Sequence, residues 1–315
     1  MVRILPAVFL CLFCCAGVHA GTPGKLSLPA SVPAILDLIY SGKSDLAIPE
    51  THKLEQQYPD DPLGYLLEAE AEWWKIWCVS AEFKYGMTMA RHHEKAPGDE
   101  HYLALTQKAL ELAEAKLKQQ NTGDMHLYAA LAEALSARLL ALRSEYRASA
   151  KFAVKARENF QQALALDPTL ADAYSGLGLY NYYVDALSVI AKALRFLMGI
   201  PGGTKEEGIR QMQRGISEGQ ISRQLARFYL ALNLFNYDQK YAEALQIITP
   251  LAEQYPGNPI FQLMMGDLNA KLGRKGPAET YYRAADVAAT DLSDAACRDK
   301  MKQLARESLE ALGKK

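Results

Sequence analysis

The sequence carries almost equal numbers of positive and negative side chains, and this balance argues against a nucleic-acid-binding function. It carries 35 Lys and Arg residues against 36 Asp and Glu, a formal net charge of −1. A nucleic-acid-binding domain needs a clustered basic surface that neutralises phosphates. The composition therefore gives no indication of a nucleic-acid partner.

The chain also lacks the short motifs that identify common active sites. It contains no nucleophile elbow, no phosphate-binding glycine loop and no dinucleotide fingerprint. The run RHHEKAPGDEH at 91–101 contains several candidate metal ligands, but it has no pair spaced as in His-Glu-x-x-His. We therefore expect a solvated loop at 91–101, no metal, no cofactor and no enzymatic activity.

The first twenty residues have the pattern of a secretory signal peptide. Arg3 precedes the apolar run ILPAVFLCLFCCAGV, and VHA places small residues before a cleavage site after Ala20. A lipoprotein signal is the alternative because Cys14 is nearby, but Phe13 stands where such signals have a small residue. The sequence predicts a signal peptide at 1–20 and an exported chain in the periplasm or cell envelope.

A second apolar segment, DALSVIAKALRFLM at 185–198, is too short to span a bilayer and contains Lys192 and Arg195. Its leucines and isoleucine fall on one helical stripe, which predicts an amphipathic helix packed against the rest of the chain. We expect no transmembrane span in the mature chain.

Three proline-containing stretches resemble one another: QYPDDP at 57–62, LDPT at 166–169 and QYPGNP at 254–259. Before each proline, a small, a larger and a small or aliphatic residue share one helical face. The small residues let a neighbouring helix approach closely, and the proline ends the helix. With a fourth copy that lacks the proline, the triplets are Ala47, Thr51 and Leu54; Ala156, Phe160 and Ala163; Ala244, Ile248 and Leu251; and Ala278, Tyr282 and Ala285.

A second helical segment follows each proline, so a two-helix unit recurs about every 34 residues. A hairpin of this size cannot bury its apolar face alone, and its copies must stack. At these residues the chain resembles the tetratricopeptide repeat (TPR) family. The segments GYLLEAEAEWW and GLYNYYVDAL resemble exported bacterial TPR-containing proteins of unassigned function.

The resemblance implies an all-α fold, a right-handed α-solenoid of antiparallel helix pairs that forms a single array over 21–315. The clearest units are 150–184, 225–258 and 259–292; the unit at 35–77 is weaker, and 100–149 and 185–219 are atypical helices. After signal removal only Cys78 and Cys297 remain, near opposite ends of this array. An elongated stack would keep their Cα atoms beyond the ~7 Å that a disulfide allows. We therefore expect two unpaired thiols.

The resemblance also implies that the first helix of each unit lines a concave groove that holds a protein or peptide. One column of aligned positions contains aromatic residues, which bury large areas at binding surfaces. The alternative for these rings is packing inside the array. The candidate partner-binding residues are Trp73, Trp74, Tyr182, Tyr183, Tyr237, Asp267 and Lys271.

The leading hypothesis is thus a non-catalytic protein- or peptide-binding scaffold. The alternative is a periplasmic carrier or accessory protein that binds a small apolar ligand for a transporter. It would use a cavity enclosed by the helices of 100–149 and 185–198. The sequence names neither the partner nor the ligand.

Overall fold

A computed structural model describes residues 25–80, 84, 95–186 and 199–314. Within these ranges the chain forms thirteen α-helices and no strand, so the predicted all-α fold class is confirmed. The cleavage site and most of 185–198 lie outside the described residues. The helices are α1 (Val32–Tyr40), α2 (Ser44–Gln57), α3 (Pro62–Ser80), α4 (Gly98–Leu117), α5 (Gly123–Leu142), α6 (Tyr146–Leu166), α7 (Ala171–Ala186), α8 (Lys205–Glu218), α9 (Arg223–Asn236), α10 (Tyr241–Gln254), α11 (Pro259–Lys271), α12 (Lys275–Thr290) and α13 (Ala295–Gly313).

Local sequence signals set the helix boundaries. Pro62 and Pro259 open α3 and α11 at positions where a missing N–H costs no intrahelical bond. The side chains of Thr204, Asn258 and Asp294 each accept a backbone N–H in the first turn of the helix that follows. Such caps satisfy donors that a helix start otherwise leaves without partners.

The helices form two layers. Each odd-numbered helix from α1 to α7 contacts the next odd-numbered helix, and α11 contacts α13. Each even-numbered helix packs between the two odd-numbered helices that flank it in sequence. The odd-numbered helices are therefore the inner layer of a stack, and the even-numbered helices are its outer layer.

The packing triplets predicted before the prolines are all buried on the outer-layer helices. On α6, for example, Ala156, Phe160 and Ala163 are the buried residues, and the triplets of α2, α10 and α12 are among the buried residues of their helices. Close approach is also present at Gly178 of α7, where an added Cβ would lie 2.7 Å from the carbonyl oxygen of Gly208 on α8. The residues predicted as packing positions are therefore buried.

The helix α5 is long and apolar enough to cross a membrane by length and composition. Its most apolar window is, however, 67% buried, and α5 packs against α3, α4, α6 and α7. This is the environment of a core helix inside a stack.

The region at 95–101 differs from the predicted loop. Helix α4 begins at Gly98, directly after Pro97, so Asp99 and His101 are helical. Asp99 is buried and accepts from the guanidinium of Arg143, with an Nε–Oδ2 distance of 2.6 Å. The prediction of a solvated loop was wrong here because Pro97 initiates a helix and an arginine outside the motif neutralises the carboxylate.

Candidate functional site

The first layers of the stack contact the last ones through a disulfide. Cys78 near the end of α3 is bonded to Cys297 in the first turn of α13, with Cα atoms 5.5 Å apart. The prediction of two unpaired thiols was therefore wrong. It assumed an elongated array, whereas the stack curves until α3 packs against α13.

Polar contacts extend this closure beyond the two sulfur atoms. The hydroxyl of Tyr255 donates to Asp37 at 2.7 Å, and the side-chain amide of Asn258 donates to the carbonyl of Tyr40 at 2.9 Å. These bonds join α1 to the turn between α10 and α11. We call this set of contacts, together with the disulfide, the closure seam.

Behind the closure seam, aromatic side chains of α3 fill the concave side of the last units. The ring centroid of Trp74 lies 5.2 Å from that of Phe228 on α9 and 5.8 Å from that of Phe261 on α11. The ring of Trp77 also lies 5.2 Å from Phe228. At this end of the stack, the concave face that the family resemblance assigns to a ligand is occupied by the chain's own third helix.

Trp73 is held on the other side of α3 by a buried ion pair. The guanidinium of Arg138 on α5 lies 4.2 Å from its ring centroid and donates to Glu70 at 2.7 Å. Glu70 also accepts from the indole N–H of Trp74 at 2.9 Å. Burial alone would lower the pKa of Arg138, but the Glu70 carboxylate raises that pKa well above its usual value.

The assignment of Trp73 and Trp74 to a partner surface is therefore corrected. Their side chains are only 2% and 4% exposed, and they pack against Arg138, Phe228 and Phe261. The packing alternative describes both residues. A signal for this was present in the sequence, because the three glutamates of the stretch LLEAEAEWW alternate with apolar residues along one helix, so some of them face the core, and a buried charge requires a partner.

Tyr182 is likewise part of the core. It is fully buried, and its hydroxyl donates to Asp238 at 2.9 Å. Burial, followed by the bond to Asp238, raises the pKa of Tyr182. The ring thus connects α7 to the end of α9, and its assignment to a partner surface is corrected as well.

Tyr183 on α7 and Tyr237 at the end of α9 lie together, as their shared repeat position predicted. Both are half-buried, and their ring centroids are 6.1 Å apart in an edge-on arrangement. Next to them the ammonium of Lys205 lies 2.5 Å from the Asp238 carboxylate. We call Tyr183, Tyr237 and the Lys205–Asp238 pair the tyrosine face.

The remaining two predicted residues have different environments on α11. Asp267 accepts from the hydroxyl of Tyr282 at 2.8 Å and lies 3.3 Å from the ammonium of Lys84, so it is engaged inside the chain. Lys271 is exposed, and its ammonium lies 5.8 Å from the ring centroid of Tyr241. Of this pair, Lys271 is the residue on the surface.

A cleft borders the closure seam. It has a volume of about 30 Å³ and is lined by Trp74, Lys75, Asn258 and both disulfide cysteines, among others. This volume suits a water molecule rather than an apolar ligand. The cavity required by a carrier function was predicted partly from 187–198, which lies outside the described residues, so that alternative stays a prediction.

The comparisons with known proteins add little beyond this geometry. No protein-family model matches the chain, and no curated protein matches it. Among solved structures it is similar to the C-terminal part of a TPR repeat-containing protein from Cytophaga hutchinsonii, with 16% identity, coverage of 89% of this chain and 95% of that one, and a TM-score of 0.38. A TM-score this low carries no argument. The class of the protein, a stack of TPR-like helix pairs, is defined by the helix pairs and packing triplets described above.

Proposed function

We propose that this protein is a non-catalytic scaffold that binds a protein or peptide in the bacterial periplasm or cell envelope. The observation that carries the proposal is the tyrosine face on the inner layer. Tyrosine rings bury large areas and keep a polar tip for hydrogen bonds, which suits protein recognition. The adjacent Lys205–Asp238 pair and exposed Lys271 supply charge for a polar rim.

The location outside the cytoplasm is supported by two independent features. One is the signal-like sequence at 1–20. The other is the Cys78–Cys297 bond, because structural disulfides persist in oxidising compartments and are rare in the cytosol.

A scaffold role is also consistent with how this chain uses its perturbed ionisable groups. Arg138 pairs with Glu70 between helices, and Glu133, whose pKa burial raises to about 7, accepts from Asn159 of the next helix. Tyr102, whose pKa burial raises to about 12, donates to a backbone carbonyl of α5. Each of these groups joins two helices.

A site-specific photocrosslinker tests the proposal. The reactive residue replaces Tyr237 in the exported protein, and after irradiation of the native cells the attached molecules are identified. Tyr146 serves as the matched control, because it is 60% exposed and lies at the start of α6 on the outer layer. We expect a discrete protein adduct from position 237 and none at comparable yield from position 146.

Other outcomes would contradict parts of this proposal. A lipid or small-molecule adduct at position 237 would replace the scaffold by the carrier. Equal adduct patterns at both positions would remove the tyrosine face as the site. Recovery of the protein only from the cytosol, with both thiols free, would contradict the location alone.

A further inference from the structure

A second feature of the molecule joins the first three units and has no role in the proposed binding surface. Glu68 on α3 is 3% exposed, yet one of its carboxylate oxygens lies near two imidazoles. The Nε2 of His52 on α2 is 3.1 Å away, and the Nε2 of His101 on α4 is 3.0 Å away. Both imidazoles are about half exposed, so water and protons reach them from outside while the carboxylate stays inside.

Glu55, one turn after His52 on α2, adds a second carboxyl to this group. Its Oε1 atom is buried and accepts no hydrogen bond among the described residues. An ionised carboxylate in that position would be costly, both through lost hydration and through repulsion from Glu68. Tyr65 of α3 feels the same carboxyl groups, because burial and then the charges of Glu55, Glu68 and Asp60 raise its pKa.

We propose that His52, Glu55, Glu68 and His101 form a proton-dependent clasp that holds α2, α3 and α4 together and weakens progressively as the pH rises from mildly acidic to mildly alkaline. The imidazoles of His52 and His101 each place their Nε2 atom against the Glu68 carboxylate, from two different helices. A protonated Glu55 hydrogen-bonds to the same carboxylate. Loss of the Glu55 proton leaves two carboxylates facing each other.

The direction of the effect follows from proton linkage. Burial, and then the interaction with Glu68, raises the pKa of Glu55 from 4.5 to about 8. Between these values the folded chain keeps a proton that the unfolded chain has released. The stability of the fold therefore falls as the pH rises through this window. One proton of difference changes the unfolding equilibrium constant by up to about tenfold per pH unit, and because Glu55 is half-buried we expect a several-fold change.

The test uses the full mature chain and the variant Glu55→Gln. A glutamine amide stays neutral and still donates to Glu68, so it reproduces the protonated state at every pH. Urea unfolding is followed between pH 5 and pH 9 for wild type, Glu55→Gln and the control Glu111→Gln, an exposed glutamate on α4. We expect wild type and the control to lose stability toward pH 9, and Glu55→Gln to keep it.

A second variant, and a measurement with added Zn²⁺, test the roles of the two histidines. His52→Gln with His101→Gln removes both imidazoles and leaves Glu55 in place, so we expect the fall in stability between pH 5 and pH 9 to persist in this variant. Equal slopes for wild type and Glu55→Gln would overturn the proposal. So would a rise in melting temperature with Zn²⁺ that disappears in the double-histidine variant, since the same residues would then be a metal site.

Discussion

The outer and inner layers of this stack use their sequences in different ways. On the outer helix α6, the buried face consists of Ala156, Phe160 and Ala163, and α6 packs against the helices directly before and after it in the chain, α5 and α7. On the inner helix α3, Trp74 packs against Phe228 and Phe261, which belong to units far along the chain. Packing between sequence neighbours defines the repeat, whereas packing across the centre defines how far the stack curves.

This difference separates a ligand groove from a core. An open solenoid would leave inner-layer aromatics on a concave surface, which is where partner-binding residues were expected. In this chain the first layers fill that surface at the end formed by α9–α13. Tyr183 and Tyr237, which lie farther from the closure seam, keep part of their surface.

Among the variants that test this difference between the two layers, Trp74→Ala should have the largest effect on stability. Removing a fully packed indole from the centre leaves a cavity between α3, α9 and α11, and we expect a loss of about 3–5 kcal/mol in the free energy of unfolding. Urea denaturation followed by circular dichroism measures the change. A loss below about 1 kcal/mol would mean that the centre is loosely packed and that the outer layer alone determines stability.

Breaking the disulfide should have the next largest effect. Cys78→Ser combined with Cys297→Ser releases a loop with a sequence separation of 219, and we expect a loss of about 2–4 kcal/mol. The hydrogen bonds of Tyr255 and Asn258 should keep the seam closed in the folded state. Thiol labelling of the unreduced, denatured wild type tests whether the disulfide is present, since modification of both cysteines would show that the bond is absent.

The close crossing of the inner helix α7 and the outer helix α8 is tested by a pair of glycine substitutions. Gly178→Ala places a methyl group against the Gly208 carbonyl where α7 crosses α8, and we expect a cost of about 1–3 kcal/mol. Gly276→Ala is the matched control, because an added Cβ at this helical position meets nothing within 4 Å. We expect that variant to be neutral or slightly stabilising. Equal melting temperatures for the two variants would contradict the close crossing of α7 and α8.

The smallest expected change in stability is that of Lys271→Ala. Its ammonium is exposed and touches only the Tyr241 ring among the described contacts, so the free energy of unfolding should shift by less than about 0.5 kcal/mol. Yield of the partner adduct from position 237 should fall if this lysine belongs to the rim. A large drop in melting temperature would instead place Lys271 in the packing of α11.

Packing between helices that are neighbours in the sequence could be predicted, whereas packing across the centre of the stack could not. The triplet of Ala244, Ile248 and Leu251 was predictable because a 3.6-residue period and a following proline are local signals. The bond between Cys78 and Cys297 was not, because it depends on small rotations that accumulate over many units.

The candidate site was only partly predictable for a related reason. The repeat register correctly placed Tyr183 beside Tyr237, since both occupy one position of the unit. It could not tell which inner positions the chain covers itself, so Trp73, Trp74 and Tyr182 were assigned to a surface they do not reach. The His101–Glu68 contact was missed because Pro97 was interpreted as part of a loop.

The closure seam has a consequence for the order in which the protein matures. During synthesis the first units emerge long before the helix that carries Cys297, which follows Cys78 by 219 positions. Until α9 and α11 are made, Trp74 and Trp77 lack the rings of Phe228 and Phe261 that they pack against in the finished fold, and exposed apolar surface is prone to aggregation. Completion of this fold is therefore a late event in synthesis, because neither the closure seam nor the disulfide can form before α13 has been made.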